Sequence, residues 1–161
     1  MPYDRAKAVE YAHLWALGRN PKYYDFAAIG GDCTNFISQC ILAGCGKMNY
    51  TPVTGWYYNS LSSRSAAWAG VQFLYNFLTA NKGAGPYGYD APLAKARLGD
   101  VIQLCFDAQA FTHSVFVVSA PELPAPDSIL VASHNHDCDS RPLDTYSYAR
   151  YRLIHIEGAR G

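Results

Sequence analysis

Apolar positions recur at helical spacing through the first half of the chain and in short runs or alternation through the second. From Asp4 to Leu17, Val9, Ala12, Trp15 and Ala16 share one face, Asp4 is a cap candidate and Gly18 a stop, so a helix is expected. After the aromatic loop Tyr23-Tyr24-Asp25-Phe26 comes Gly30-Gly31-Asp32-Cys33. There Asp32 is placed to cap a second helix that runs to Ala43, ends before Gly44, and buries Phe36, Ile37, Cys40 and Ile41. A third helix is expected from Ser65 to about Asn81, where Trp68, Val71, Leu74, Phe77 and Leu78 keep the period, with Gly83 ending it. Residues 45–64 read as a long loop whose Trp56, Tyr57 and Tyr58 are too aromatic for a linker. Strands are expected at Asp100 to Phe106, His113 to Ser119, Ile129 to His134 and Arg150 to Ile156, separated by a Pro-rich insert at 121–126 and a polar stretch at 136–143. Helices first and strands after make an α+β order, with the helices packed on a small antiparallel β-sheet or half-barrel.

Composition narrows the reading. The 161 residues suit one domain, 1–161, and a 50% hydrophobic content with 16% charged residues supplies a core. Thirteen Lys plus Arg against thirteen Asp plus Glu leave no net charge to drive phosphate-backbone binding, so nucleic acid is not an expected partner. No apolar run reaches membrane-spanning length, and no membrane partner is expected. The N-terminus lacks the layout of a signal peptide. The chain as written is therefore expected in the cytoplasm, or secreted or at the cell wall if a leader has been removed. Five cysteines, an odd count, leave at least one thiol outside any internal disulfide.

The chemistry concentrates at Cys33, the first position of the second helix. Thiolate is the attacking form of cysteine, and a helix N-terminus stabilises that anion, so a lowered Cys33 pKa is expected. The unpaired N–H groups of the same turn are donors for an oxyanion. Cys40 on an apolar stripe, Cys45 between glycines and Cys105 within a strand read as structural. A cysteine nucleophile needs a base, and the base needs an orienting acceptor. His113 opens an apolar strand and is the base candidate. His134 ends the next strand and is the orienter, with Asn135, His136 and Asp137 as substitutes. His13 and His155 read as satisfied or exposed surface residues. His134-Asn135-His136-Asp137-Cys138 also has the His-x-His-x-Cys pattern of a zinc site, but a fourth ligand is not evident, so no metal and no cofactor are expected.

Tyr3-Asp4-Arg5, Ala8-Val9, Trp15-Ala16, Arg19-Asn20-Pro21, Gly30-Gly31-Asp32-Cys33-Thr34-Asn35-Phe36, Ser38-Gln39, Met48-Asn49, Gly55-Trp56-Tyr57-Tyr58, Gly99-Asp100-Val101, His113-Ser114 and Ser133-His134 together resemble the bacterial "putative amidase domain" family. That family is similar to the papain-like cell-wall hydrolases, the CHAP amidases and NlpC-type peptidases. The resemblance implies a papain-like fold, Cys33 as nucleophile, His113 as general base and acid, and His134 as the third polar group. It also implies that Asp32 and Tyr24 help to hold a substrate amine. Thr34, where those relatives carry Ser, and Trp56, a candidate cleft wall, complete the expected substrate-binding positions. The expected function is a cysteine amidase or peptidase acting on a peptide or peptidoglycan fragment. The alternative is an inactive or transferase-type binding module on the same fold.

Overall fold

The computed structural model describes residues 2–161; Met1, the first residue of the expected 1–161 domain, lies outside the described residues. Helix α1 (Arg5–Trp15) starts at Asp4, whose carboxylate accepts from the Lys7 N–H at 3.0 Å. Helix α2 (Cys33–Cys45) does not stop before Gly44. It ends at Gly46, which takes the left-handed conformation at φ 68°. Gly44 serves contact instead: a Cβ there would meet the Tyr3 ring at 2.6 Å and the Asp4 carbonyl oxygen at 2.8 Å, so its missing side chain lets α1 and α2 approach closely. Cys45, expected in a loop, is consequently the last helical residue and is buried.

The aromatic loop segment forms a short hairpin, β1 (Tyr58–Ser60) with β2 (Ser63–Arg64). The expected third helix is two, α3 (Ala66–Ala69) and α4 (Val71–Ala80), because Gly70 is extended at φ −112°, ψ 129°. The six remaining strands are β3 (Gly85–Ala91), β4 (Val101–Cys105), β5 (His113–Ser119), β6 (Leu130–Ser133), β7 (Cys138–Pro142) and β8 (Arg150–Arg160). They form one antiparallel sheet in the order β3-β8-β4-β5-β6-β7. Both edge strands were hidden in the sequence. β3 carries Gly85, Pro86 and Gly88 and bends at a bulge, and β7 is the polar stretch that reads as a separator. Such residues suit edges, where half the backbone groups face solvent and a flat apolar strand would recruit another chain.

Alternation along the strands sorts two cores. Val101, Phe116, Val118, Ala132, Ile154 and Ile156 face the helices, packing with Phe36, Ile37, Trp56, Trp68 and Leu74. Ile102, Leu104, Val115, Val117, Val131 and Leu153 face the other way, under Tyr146 and Tyr148 from the segment before β8. The fold is α+β, as expected from the order of elements. Among the described residues, no helix is long and apolar enough to cross a membrane.

Candidate active site

Helix α2 is buried on nearly every side, Cys33 through Ile41 included, so its polar residues must find partners inside the protein. They form one chain of hydrogen bonds. The Trp56 indole donates to Ser38 Oγ at 2.9 Å, which donates to the Trp68 carbonyl at 2.7 Å. The Trp68 indole donates to Asn35 Oδ1 at 2.8 Å, and Asn35 Nδ2 donates to Asp32 Oδ1 at 2.9 Å. Asp32, Asn35 and Ser38 recur every third residue, which places them on one helical row.

Asp32 is the residue before the helix, yet its carboxylate does not cap it. It is fully buried and accepts from the Phe26 N–H at 2.8 Å, from Asn35, and from His134 Nδ1 at 2.5 Å, with Arg19 Nε 3.6 Å away. His134 Nε2 lies 2.9 Å from the Trp15 carbonyl oxygen, and the ring stacks on Phe36 at 4.2 Å between centroids. Both ring nitrogens thus face oxygen atoms of the protein. Two expectations are thereby corrected. His134 cannot orient His113, because its hydrogen-bonding capacity is spent on Asp32 and Trp15. Asp32 is enclosed and fully engaged, so it holds a histidine rather than a substrate amine.

With Asp32 turned inward, the first N–H groups of α2 lack a side-chain cap. Cys33 Sγ sits among them, 4% exposed as a residue and 3.7 Å from Thr34 Oγ1, whose hydroxyl is 3.1 Å from Ser114 Oγ on β5. Burial pushes the Cys33 thiol up. The Ser114 N–H and the Thr34 hydroxyl and N–H pull the other way, and the neighbouring Asp32 charge adds to the rise. The net direction is upward, which overturns the expected lowered pKa: desolvation and a carboxylate next door outweigh the helix terminus.

His113 immediately precedes Ser114, so the residue whose backbone meets the sulfur is the neighbour of the histidine. While Ser114 Oγ points to α2, the His113 ring lies against Tyr146 at 5.8 Å and Phe106 at 6.3 Å and lines a cleft of about 430 Å³. No hydrogen bond joins the Cys33 thiol to the His113 ring. Burial, then the charge of Arg141 and then His136, push His113 down to about 4, so at neutral pH the ring is uncharged. Asn135 ties the cleft to the helix start: it lines the same cavity and accepts from the Asp32 N–H at 2.8 Å. Asn135 and His136 are both left-handed, at φ 64° and 62°, in the turn joining β6 to β7.

The other expected positions separate. Thr34 is buried and contacts the sulfur and Ser114, so it positions the thiol rather than meeting substrate. Trp56 is 0% exposed in the helix-side core, and is a core residue, not a cleft wall. Tyr24 is 37% exposed at the surface; its N–H donates to Tyr58 Oη at 2.8 Å and its carbonyl accepts from Asn35. Cys138 reaches Ser133 Oγ and Tyr146 Oη at 3.4 Å on the face away from His134, so the His-x-His-x-Cys residues do not converge. Among the described residues no three His, Cys, Asp or Glu side chains gather as metal ligands. His13 is a surface residue paired with Asp139 at 2.8 Å. His155, partly exposed, is satisfied by buried Asp100 at 2.9 Å. Arg141 and Tyr146 lie in a segment with no motif, and the partners of Arg19 and Ser114 are 80 or more residues away, so the sequence assigns none of the four a role.

No solved structure matches the chain. It is 34% identical over 166 aligned positions to "Uncharacterized protein YhbB" of Bacillus subtilis (strain 168), covering 96% of this chain and 50% of that protein. The chain thus spans about half the length of the curated relative it matches. Residues 2–156 match the family described as "Putative amidase domain", and the chain belongs to that family.

Proposed function

We propose that this domain is a cysteine amidase or peptidase with Cys33 as nucleophile and His113 as general base and acid. The observation that carries the reading is the seating of the Cys33 sulfur at an uncapped helix start, against the backbone N–H of the residue that follows His113. Membership of an amidase family supports amide hydrolysis as the reaction. A cysteine on the first turn of a helix packed on an antiparallel sheet, with histidine at a strand start, is also the arrangement the papain-like resemblance implies.

The two groups rest uncharged, thiol and imidazole, so activation is concerted with attack. As the sulfur closes on the amide carbonyl, the S–H proton passes to His113 and an S–C bond forms. The carbonyl oxygen becomes an oxyanion facing the N–H groups at the start of α2, which lack a side-chain cap. Collapse breaks the C–N bond while His113 returns the proton to the leaving amine. Water, deprotonated by the same ring, then cleaves the thioester and restores the thiol. Transfer requires the ring and sulfur to come within hydrogen-bond reach, a contact that ligand-free catalytic pairs often lack. Thr34 positions the sulfur, and Tyr24 is the exposed candidate for contact with substrate beside this turn. Peptidoglycan stem peptides are the substrate class that the resemblance supports.

The test is to incubate purified peptidoglycan fragments with wild type and with Cys33→Ala and to identify products by mass. Cleavage by the wild type alone is the expected result. Equal absence of products, with fragments still bound, would favour the binding-module alternative.

A further inference from the structure

The cleft beside His113 has an uneven charge. Its lining includes Arg141, His136 and His113 with Phe106 and Tyr146, and, among the described residues, no Asp or Glu. The nearest acids are engaged or turned elsewhere. Asp137 is paired with Arg19 at 2.8 Å, Asp139 with His13 at 2.8 Å, and Asp107 accepts from the backbone at Gln109 and Ala110. Asp144 lies exposed and acts on Tyr148.

Among the described residues Arg141 has no carboxylate partner; Arg64, Arg150, Arg152 and Arg160 share that property, but Arg141 is the arginine that lines the cleft beside His113. Its Nε donates to Thr145 Oγ1 at 2.7 Å, its Nη2 donates to the Thr145 carbonyl at 3.0 Å, and its guanidinium lies 3.7 Å over the Tyr146 ring. A flexible side chain loses rotamer entropy when it grips a ligand; this one is already ordered, with Nη1 unengaged. The same Tyr146 ring is the neighbour of His113, so the charged fork and the base share one wall of one cavity. A planar guanidinium on an aromatic face in an acid-free cleft has the geometry that recognises a carboxylate by paired hydrogen bonds.

We propose that the cleft selects amides that carry a free carboxylate close to the scissile bond, and that Arg141 is the residue that binds it. This rests on the reading of His113 as the base, and gives that site a substrate class: a peptide with an acidic group near the cleaved amide, as opposed to a neutral or cationic one. A bound carboxylate would also neutralise the charge that helps to hold His113 uncharged, making the ring a better proton acceptor when substrate is in place.

The test separates binding from turnover. Cys33→Ala protein is titrated with acetyl-alanyl-alanine, which has a free carboxylate, and with acetyl-alanyl-alaninamide, which has none, while the His113 ring resonances are followed by NMR. The acid is expected to bind at least about tenfold more tightly, as loss of a charge-assisted hydrogen bond would dictate, and to raise the pH at which His113 titrates. Arg141→Gln, checked for folding by circular dichroism, is expected to abolish the preference, and Arg141→Lys to keep part of it. Equal affinity for acid and amide, no perturbation of His113 by the acid, or a preference that survives Arg141→Gln would each overturn the proposal. Preference for the acid in a protein whose wild type cleaves no amide would sink the hydrolase reading and leave the carboxylate site standing.

Discussion

His134 Nδ1 and Asp32 Oδ2 stand 2.5 Å apart with both side chains almost wholly enclosed, which makes this pair a bolt between β6 and the start of α2 rather than part of a proton relay. Removing one partner strands a buried charge. Asp32→Asn or His134→Leu is therefore expected to lower unfolding free energy by about 3–5 kcal/mol, measured by urea denaturation. Arg19, 3.6 Å from Asp32, softens the His134 loss, so Arg19→Gln combined with His134→Leu should cost more than the two singles summed. Additive losses would show that Arg19 does not share the Asp32 charge.

His113 makes stability depend on pH. Its value falls from 6.5 in the unfolded chain to about 4 in the fold, so between those values the unfolded chain binds a proton that the folded one excludes. The contribution is fully present above pH 6.5 and is lost as pH drops toward about 4, amounting to about 3 kcal/mol at most. His113→Asn should remove that slope from the difference between the two stability curves, whatever it does to stability at neutral pH. Parallel curves would mean the ring titrates freely.

An uncharged thiol and imidazole predict a distinctive kinetic signature. kcat/KM should stay level through mildly acidic pH and fall only as His113 is protonated near pH 4, in place of the bell expected of a thiolate–imidazolium pair. Iodoacetamide, which reports the free thiolate, should label Cys33 no faster than the half-exposed Cys138 near neutral pH. Rapid selective labelling of Cys33 would show that its thiol is ionised at rest.

Gly44→Ala tests the crossing of α1 and α2. The added methyl meets an Asp4 backbone oxygen at 2.8 Å and the Tyr3 ring at 2.6 Å, and backbone cannot swing aside as a side chain can. A loss of about 1–3 kcal/mol is expected in thermal or urea unfolding, despite the better helix propensity of Ala. A gain would mean that the two helices separate freely.

The sequence disclosed the elements whose residues speak for themselves. β5 is an unbroken apolar run and matches its expected span, and α1 follows its cap and period. Gly44 and Gly70 depart from the expected pattern in opposite senses. One glycine, read as a stop, is a contact point inside a helix; the other, inside a period, is a break. The apolar period does not distinguish them: the first is decided by its contact with Tyr3, and the second is extended between two helices. β3 and β7 escaped notice because edge strands need not be apolar. Cys33 and His113 stood out by their positions at element starts, whereas the state of the thiol depended on burial and on where the Asp32 carboxylate turned. The partner of His134 was hidden for the same reason: a residue 102 positions away claims it.

Ser114 gives the site a mechanical property. Its backbone touches the sulfur while its predecessor in the pleat carries the imidazole, and the strand holding both is enclosed by neighbours on either side. The backbone contact of the Cys33 sulfur and the His113 ring are thus carried by adjacent residues of one strand. A slip of one residue in the pairing of β5 would therefore displace the sulfur's backbone partner and the imidazole at once.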